Sequence, residues 1–376
     1  MKRISVIVLI LMFAIPLAAQ KRVIRGGPPE APKDLPPLEV REGMSDDEQI
    51  AALDRYVTAL AEKGLFSGTV LLARDGKPRL SRAVGLADRE KKSPMTIDTK
   101  MNLGSINKLF TKVAIAQLAA AGKLKLTDTV AALLPSLDIP SADAITIEQL
   151  LEHRSGLGDF FGPRFFGDPH RIATLADYAT LFAGKPLEFE PGKGQRYSNA
   201  GYIVLGLIIE AKSGESYHDY VQRHIFAPAG MRDSGAWAWD ADVANRAVGY
   251  TKRGPEGPLP ELRPNVATLP GRGSSAGGGY STAPDLLRFA NAFTAGKFVD
   301  GEWSGWLTQG KLGAPAGPIG LGVAGGAPGI NAALEIDGPW TLAVLANLDP
   351  PAAVTVAEAW MKLRHPEGEE DDGGNE

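Results

Sequence analysis

Apolar residues recur at helical spacing at both ends of the main body of the chain. Ser45 followed three residues later by Glu48 forms a capping box, the pattern that starts many helices. Behind it, apolar side chains return every three or four residues up to Gly64. These positions are Ile50, Leu53, Val57 and Leu60. Ala353 to Leu363 has the same period, so the pattern predicts an amphipathic helix at each end.

Two pairs of apolar runs each surround an Asp-Gly dipeptide, which is typical of a two-residue hairpin turn. The first pair is Thr69 to Arg74 and Arg79 to Val84, around Asp75-Gly76. The second pair is Asn331 to Ile336 and Thr341 to Leu348, around Asp337-Gly338. Each pair predicts two antiparallel strands, so one hairpin lies near each end of the chain.

A sheet assembled from both chain ends needs helices to cover its faces. We therefore predict an α/β fold: an antiparallel sheet from both ends, flanked by the terminal helices, with a mainly helical insertion and a cleft between the two parts. The domain is expected over 45–364, with a sheet half (45–104 and 300–364) and a helical half (105–299). The candidate helices of the insertion are Leu109 to Ala121, Ile147 to His153, Gly201 to Ser213, Tyr217 to Phe226 and Ala283 to Ala295.

The segments outside this domain have different compositions. Lys2 and Arg3 precede an apolar run from Ile4 to Ala19 that ends in small residues, which predicts a signal peptide over 1–19. A retained anchor is the alternative, but the run is shorter than the about 20 residues that a transmembrane helix needs. We expect a periplasmic or secreted protein with no stable membrane insertion after cleavage. Residues 20–44 read as a Pro-rich leader and 365–376 as a disordered acidic tail.

Composition limits the chemistry available to the chain. Its 376 residues include no cysteine, which excludes thiol nucleophiles, disulfides and cysteine-ligated metals, and only five histidines. Lys and Arg number 40 against 44 Asp and Glu, for a net charge of −4. The sequence has no long run of basic residues, so a nucleic-acid partner is not expected. His170, His218 and His224 lack metal-ligand spacing, and we predict neither a metal nor a cofactor.

Ser105 and Lys108 form an S-x-x-K at the start of a predicted helix. Side chains three residues apart share a helix face, so the lysine amine can reach the serine hydroxyl. A partly desolvated lysine can lose its proton and act as base to a serine, while the helix N-terminus favours a developing oxyanion. Taken alone, the same pattern also describes a capping serine beside a solvent-exposed lysine.

Tyr197, Ser198 and Asn199 follow the turn-forming run 191–194 and precede a predicted helix. This places them on a loop, where functional groups are common. A phenol beside a lysine ammonium can ionise more readily and exchange protons, and an asparagine amide can donate to a substrate carbonyl. A buried tyrosine with a turn-stabilising asparagine is the structural alternative.

Several further stretches occur in one order along the chain, and together they are far more specific than either motif alone. They are Phe66-Ser67-Gly68-Thr69-Val70, Leu103 to Thr111 around Ser105, Gly122-Lys123-Leu124-Lys125-Leu126, Leu150 to Leu157, Tyr197 to Tyr202, and Gly277 to Thr282. Over most of residues 47–362 the chain thereby resembles the serine β-lactamase and penicillin-binding-protein superfamily. The resembling branch is class C-like and includes β-lactamases, D,D-peptidases, D-aminopeptidases and family VIII carboxylesterases.

The resemblance implies catalytic roles for three residues: Ser105 as the acylated nucleophile, with Lys108 and Tyr197 sharing the work of general base and acid. Asn199 would orient substrate. The third motif of the family aligns with Val323-Ala324-Gly325, and the backbone amides of Ser105 and Gly326 would form the oxyanion hole. Glycines at 325 and 326 also suit a strand that a ligand approaches closely.

Val323 departs from the family pattern, which usually has a basic residue or histidine at this position. A valine carries no charge and donates no hydrogen bond, so the usual anchor for a substrate carboxylate is missing there. We therefore expect an exported serine hydrolase of carboxylesterase-like or broad ester and amide specificity. The alternatives are a class C-like β-lactamase, a D,D-peptidase or D-aminopeptidase acting on peptidoglycan-like substrates, and a non-catalytic binding or regulatory relative.

A rival nucleophile motif, G-x-S-x-G, occurs at Gly273 to Gly277 with Ser275 at its centre. The fold that uses this motif needs an acid and then a histidine later in the chain, and only His365 follows. We therefore expect Ser275 to be structural. His153 is expected to make structural hydrogen bonds beneath the site. The aromatics Phe160-Phe161 and Phe165-Phe166 either line a substrate entrance or pack a loop.

Overall fold

The computed structural model describes residues 34–254, 257–299, 302–309 and 320–366. The predicted signal peptide, residues 20–33 of the predicted leader and residues 367–376 of the predicted tail lie outside these ranges. No helix in these ranges is both long enough and apolar enough to cross a membrane.

Eleven strands and twelve α-helices occur in the described part of the chain. The strands are β1 (Gly68–Arg74), β2 (Lys77–Val84), β3 (Leu86–Asp88), β4 (Ser93–Pro94), β5 (Met101–Asn102), β6 (Tyr250–Gly254), β7 (Gly257–Pro264), β8 (Tyr280–Ser281), β9 (Gly320–Ala327), β10 (Ile330–Asp337) and β11 (Trp340–Ala346). The helices are α1 (Asp46–Glu62), α2 (Asn107–Ala120), α3 (Val130–Leu133), α4 (Ile147–Leu151), α5 (Pro163–Gly167), α6 (Leu175–Ala179), α7 (Asn199–Ser213), α8 (Tyr217–Val221), α9 (Ala227–Ala229), α10 (Ala283–Thr294), α11 (Glu302–Gln309) and α12 (Ala352–Arg364).

The principal sheet has five antiparallel strands in the order β2-β1-β11-β10-β9. Its centre joins the two chain ends, because β1 pairs with β11 from Gly68 opposite Ala346 to Arg74 opposite Trp340. Among the described strands, β9 pairs only with β10 in this sheet and therefore forms an edge. The predicted fold class, an antiparallel sheet from both chain ends flanked by helices, is confirmed.

The two hairpins differ in where the turn falls. Asp75 and Gly76 occupy the first turn as predicted, and both have positive φ (52° and 72°), as a type I′ turn requires. In the second hairpin Asp337 still pairs with Trp340, so the turn is Gly338-Pro339 rather than Asp337-Gly338. The turn therefore begins one residue later than the sequence pattern predicted. Proline cannot donate to the strand ladder, and Gly338 with φ 55° supplies the positive φ of the first turn position.

Each face of the sheet packs against its own helices. Helices α1 and α12 cover one face, where Trp340 and Trp360 meet edge to face with ring centroids 5.1 Å apart and both rings fully buried. The opposite face contributes Leu71, Leu334 and Leu345 to a larger core that also contains α2, α7 and α10. The alternation of strand residues between two apolar layers explains why β1 and β11 are buried along almost their whole length.

The stretch between the two sheet segments is more mixed than the sequence predicted. Its long helices are α2, α7 and α10, and the predicted helix Tyr217 to Phe226 is present as α8 followed by a π-helical segment. A β-hairpin of β6 and β7 also lies there, paired from Tyr250 opposite Pro264. Apolar periodicity did not reveal this hairpin because most of its residues are exposed.

Replacing Trp360 with alanine is expected to lower the free energy of unfolding by about 3–5 kcal/mol, the cost of emptying a core site of indole size. Urea unfolding followed by circular dichroism measures the loss. Glu62→Ala, an exposed change on α1, is the control and should shift the value by no more than about 0.5 kcal/mol. Equal stability of Trp360→Ala and the wild type would contradict the assignment of this aromatic pair to the core.

Candidate active site

Ser105 lies in a 3₁₀ turn, Gly104–Ile106, that leads directly into α2. Gly104 has φ 52°, and a Cβ at this position would lie 2.8 Å from the backbone nitrogen of Gly326. Only glycine fits both the left-handed conformation and the contact with β9. The turn therefore presents the Ser105 hydroxyl where the N-terminus of α2 meets the free edge of the sheet.

Lys108 lies one turn later and is buried. Its Nζ donates to the carbonyl oxygen of Ala276 at 2.5 Å, to Oδ1 of Asn199 at 2.7 Å and to Oγ of Ser105 at 3.3 Å. Burial lowers the pKa of Lys108 to about 7, against a smaller opposing effect of the Asp159 carboxylate. Much of the amine is therefore neutral near pH 7 and able to accept the Ser105 proton.

Tyr197 contacts Ser105 from the other side. Its hydroxyl lies 2.7 Å from Oγ of Ser105, and the Lys108 amine lies 4.8 Å from the centroid of its ring. Burial raises the pKa of Tyr197 above its ordinary value, and the hydrogen bond to Ser105 offsets only part of that rise. The expectation that the neighbouring lysine would ease ionisation of the phenol is therefore wrong, because desolvation outweighs it. Burial thus disfavours the ionised form of both groups: the phenolate of Tyr197 and the ammonium of Lys108.

Asn199 is the first residue of α7, and Ser198 caps that helix by accepting from the backbone N–H of Gly201 at 2.9 Å. The cap fixes the Asn199 side chain beside Lys108. Its amide nitrogen donates to Oδ2 of Asp159 at 2.7 Å, so its oxygen faces the Lys108 amine. Sequence reasoning had placed Asn199 at the site but had not identified Asp159.

Strand β9 brings the third motif against Ser105. A Cβ on Gly325 would lie 2.7 Å from the Ser105 backbone nitrogen and would collide with the carbonyl of Leu103, so glycine is required there. The Gly325 carbonyl accepts from Nδ2 of Asn331 on β10 at 2.9 Å. In a trans peptide the N–H points opposite to the carbonyl, so the Gly326 N–H points away from β10 towards the free edge. This geometry suits the predicted oxyanion hole.

Val323, the first position of the third motif, pairs with Leu334 and packs against the larger apolar core. It contributes methyl groups and no charge to the site edge. The structure thus brings together Ser105, Lys108, Tyr197, Asn199 and the glycines of β9, and their individual catalytic roles stay predictions.

His153 lies beneath Tyr197, with the ring centroids 4.7 Å apart. Its Nδ1 accepts a hydrogen bond from the backbone N–H of Ser198 at 3.1 Å, and its backbone carbonyl accepts one from the backbone N–H of Arg196 at 2.9 Å. Burial first, and then the nearby Lys108 charge, lower the pKa of His153 to about 4. A neutral imidazole therefore supports the Tyr197 loop through hydrogen bonds, in agreement with the sequence expectation.

Ser275 is fully buried, and its hydroxyl donates to the carbonyl of Tyr202 at 2.7 Å. It is structural, as expected. Its neighbour Ala276 contributes the carbonyl that binds Lys108, at the tip of a turn closed by the Ser274 and Gly277 backbones. Groups of three or more acidic or histidine side chains arranged to hold a metal ion do not occur among the described residues.

A cluster of phenylalanines follows Asp159, with two rings in the same loop and two in α5. Phe160 and Phe165 are buried, whereas Phe161 and Phe166 are each 40% exposed and stack on each other with centroids 5.9 Å apart. The cluster therefore packs the loop and also leaves two phenyl rings exposed to solvent beside the site.

A family model described as Beta-lactamase matches residues 53–364, most of the chain and all of the site. This chain belongs to the β-lactamase family. Among curated relatives, esterase EstB of Burkholderia gladioli is 34% identical over 268 residues, covering 63% of this chain and 68% of EstB. A D-aminopeptidase of Brucella anthropi is 32% identical over 205 residues, covering 53% of this chain and 38% of that protein.

Solved structures agree with this membership. A penicillin-binding protein from Bacillus halodurans superposes with a TM-score of 0.71 at 29% identity, covering 82% of this chain and 99% of that chain. Against curated relatives the coverage is smaller: this chain spans 40% and 63% of the length of two Bacillus subtilis relatives. The shared region is the β-lactamase-related serine hydrolase domain.

The pKa of Lys108 near 7 predicts how Ser105 reactivity depends on pH. Only the neutral amine accepts a proton, so labelling of Ser105 by a fluorophosphonate should rise from pH 5 to a plateau above pH 8, with a midpoint within about one unit of 7. Gel fluorescence over time measures the rate. Lys108→Ala should label slowly and without that midpoint. A wild-type rate that is flat across this range would contradict Lys108 as the base.

Proposed function

We propose that this chain is an exported serine hydrolase that cleaves a neutral ester through an acyl-enzyme on Ser105. The observation that carries the proposal is the position of one hydroxyl between two proton carriers: Oγ of Ser105 lies 2.7 Å from the Tyr197 hydroxyl and 3.3 Å from the Lys108 amine. Such a serine can lose a proton to a base while an acid protonates the leaving group.

In acylation, the Ser105 oxygen attacks the substrate carbonyl carbon as its proton moves to neutral Lys108. The carbonyl oxygen gains negative charge, and the N–H groups of Ser105 and Gly326 stabilise it. The carbon–oxygen bond to the leaving alcohol then breaks, and that oxygen takes the proton of Tyr197. The Lys108 ammonium reprotonates Tyr197, which leaves Ser105 esterified and Lys108 neutral.

Deacylation repeats these steps with water. Water attacks the ester carbonyl carbon and gives its proton to neutral Lys108. The Ser105 oxygen takes the proton of Tyr197 as it leaves, and the Lys108 ammonium then reprotonates Tyr197. The acid product carries the oxygen of the water, and the site returns to its starting protonation state. The protein's own side chains supply every proton transfer.

Preference for a neutral ester rests on the edge of β9. A substrate carboxylate needs a cation to offset its desolvation, and Val323 offers only an apolar surface at the position where the family pattern has a basic residue or histidine. The exposed rings of Phe161 and Phe166 add apolar area beside the site. The relationship to esterase EstB supports the same class of substrate.

A non-catalytic binding role fits the site less well. Burying a lysine amine that is not used costs stability, since desolvation opposes its charge. In this site the amine is buried, bound by three acceptors and placed against a serine. Such an arrangement is easier to explain as machinery for proton transfer.

Substrate comparison tests the proposal. Wild-type protein is expected to hydrolyse p-nitrophenyl butyrate with a kcat/KM at least about tenfold above those for nitrocefin and an N-acyl-D-alanyl-D-alanine peptide, both of which carry a carboxylate. Ser105→Ala should lose all turnover while keeping its circular dichroism spectrum. Faster hydrolysis of the β-lactam would favour a β-lactamase, and faster hydrolysis of the D-peptide would favour a peptidase. No turnover of any of the three substrates would contradict the proposal that the protein is a hydrolase.

Two variants at Val323 isolate the effect of charge. Val323→Lys should raise relative activity on the carboxylate-bearing substrates, whereas Val323→Gln, of similar length without charge, should not. Ratios of kcat/KM between substrates report the change and cancel differences in folded fraction. Equal ratios in the two variants would show that position 323 does not select for substrate charge.

Export is proposed from the charged, apolar and small-residue pattern of 1–19. Full-length protein expressed in a Gram-negative host should be recovered from the periplasmic fraction, with an N-terminus near Gln20 by mass spectrometry. Retention of Met1 to Ala19 in a cytoplasmic or membrane fraction would contradict export by cleavage.

A further inference from the structure

Asp159 is a carboxylate close to the reacting groups, and the proposed reaction does not use it. It lies half-buried in the loop between α4 and α5. Its Oδ2 accepts from Nδ2 of Asn199 at 2.7 Å, and its Oδ1 accepts from the backbone N–H of Phe161 at 3.3 Å. Burial raises the pKa of Asp159, and the hydrogen bonds from Asn199 and from the Phe161 backbone, together with the Lys108 charge, oppose that rise. Since each oxygen accepts an N–H, the geometry suits the ionised carboxylate.

A continuous set of hydrogen bonds connects this carboxylate to the nucleophile. The Asn199 amide bridges Asp159 and Lys108: its nitrogen lies 2.7 Å from Oδ2 of Asp159, and its oxygen lies 2.7 Å from Nζ of Lys108. Nζ of Lys108 lies 3.3 Å from Oγ of Ser105, which in turn lies 2.7 Å from the Tyr197 hydroxyl. An amide rotated by 180° would point its N–H groups at the lysine amine, donor against donor. Asp159 excludes that orientation by accepting from the nitrogen.

The loop that carries Asp159 is fixed against the start of α7. Oγ of Ser198 donates to the carbonyl of Gly158 at 2.8 Å. Gly158 directly precedes Asp159, and Ser198 directly precedes Asn199, so this hydrogen bond lies beside the one between Asp159 and Asn199. Gly156, with φ 79°, turns the loop where a Cβ would collide with the Phe189 carbonyl. Two adjacent residues of the loop therefore bind the N-cap and the first residue of α7, and these two hydrogen bonds fix the carboxylate against Asn199.

The ionisable groups around the Lys108 amine are few. The α4–α5 loop contributes Asp159 and, just before it, His153, which its lowered pKa keeps neutral. Helix α7 and the residues before it contribute the phenols of Tyr197 and Tyr202, whose pKa values burial raises. Among the described residues, Asp159 is therefore the acidic group next to the amine, and its ionised form would place a negative charge there.

More distant charges face this region from other elements. Lys112 lies on α2 one turn after Lys108, and its amine packs over the ring of Trp306. Burial lowers the pKa of Lys112, and the charge of Glu152 opposes this with a smaller effect. Behind the α4–α5 loop, Glu188 pairs with Arg196 at 2.6 Å. The facing residues of β9, 323–326, and of the Ser274–Gly277 turn carry no ionisable side chain.

We propose that Asp159 is a positioning residue for Ser105 acylation: it fixes the orientation of the Asn199 amide and places a negative charge behind the Lys108 amine. The proposal rests on the proposed function, because it assigns a role within that reaction. Asp159 touches neither substrate nor the reacting atoms. It acts through Asn199, by holding the acceptor that keeps the lysine amine beside Ser105.

Two substitutions separate its two effects. Asp159→Asn keeps an oxygen that can accept from Asn199 and removes the charge. Asp159→Ala removes both the charge and the acceptor. Asp168→Asn is the matched control, since Asp168 lies further along the same part of the chain and pairs with Arg171 in an exposed ion pair.

The first measurement is the titration of Lys108 by NMR, with ¹³Cε-labelled lysine and assignment by the signal lost in Lys108→Arg. Removing a nearby negative charge destabilises the ammonium, so Asp159→Asn should lower the Lys108 pKa from its wild-type value by roughly half a unit to one unit. Asp168→Asn should leave it unchanged. Superimposed titration curves for Asp159→Asn and wild type would overturn the proposal.

The second measurement is the fluorophosphonate labelling rate of Ser105 across pH. In Asp159→Asn the acidic limb should move to lower pH by the same amount as the Lys108 titration, with a plateau near the wild-type rate. In Asp159→Ala the plateau should fall roughly tenfold to a hundredfold because the amide is no longer fixed. A plateau for Asp159→Ala equal to that of wild type would overturn the positioning role.

These readouts separate failure of this proposal from failure of the proposed function. If wild-type Ser105 does not label at all, the hydrolase assignment fails, while the NMR titration still tests whether Asp159 controls Lys108. Thermal unfolding of each variant identifies any loss of fold, and the titration is read on protein that remains folded.

Discussion

The burial of the Lys108 amine is the constraint on which the site depends. An amine removed from water needs hydrogen-bond acceptors, and these come from three separate parts of the chain: Ser105 before α2, Asn199 at the start of α7, and the Ala276 carbonyl in a tight turn. Those segments must converge on one nitrogen for the lysine to be tolerated. The same burial lowers the pKa of Lys108 to about 7, so one physical cause assembles the site and leaves the amine able to accept a proton near neutral pH.

The second requirement is close approach of the sheet edge to the nucleophile. Gly104 and Gly325 allow backbone to pack on backbone between the Ser105 turn and β9, where side chains would collide. Asn331 then ties β9 to the rest of the domain, since its amide donates to Gly325 and its oxygen accepts from the backbone N–H groups of Ala353 and Val354 at the start of α12. Strand β9 is thus anchored from the face opposite Ser105, which is the kind of rigid support that the proposed oxyanion hole needs.

Features set by local pattern could be predicted from the sequence. The terminal helices follow from apolar periodicity, the first hairpin from Asp75-Gly76, and the meeting of Ser105 and Lys108 from helical spacing. Features set by long-range contact could not. The Ala276 carbonyl has no side-chain pattern to reveal it, and Asp159 contacts Asn199 across 40 residues of sequence. The Tyr197 pKa was predicted in the wrong direction because sequence spacing shows a neighbouring charge but not the depth of burial.

Family membership and site geometry together indicate a serine hydrolase, and the proposed preference for a neutral ester rests on the uncharged side chain of Val323. Rapid-quench peptide mass spectrometry of the protein mixed with p-nitrophenyl butyrate tests the central claim most directly, because it observes the intermediate itself. The account predicts a butyryl group on the peptide that contains Ser105, appearing before steady turnover and decaying when substrate is exhausted. Steady turnover with Ser105 unmodified, or with the acyl group on another residue, would contradict it.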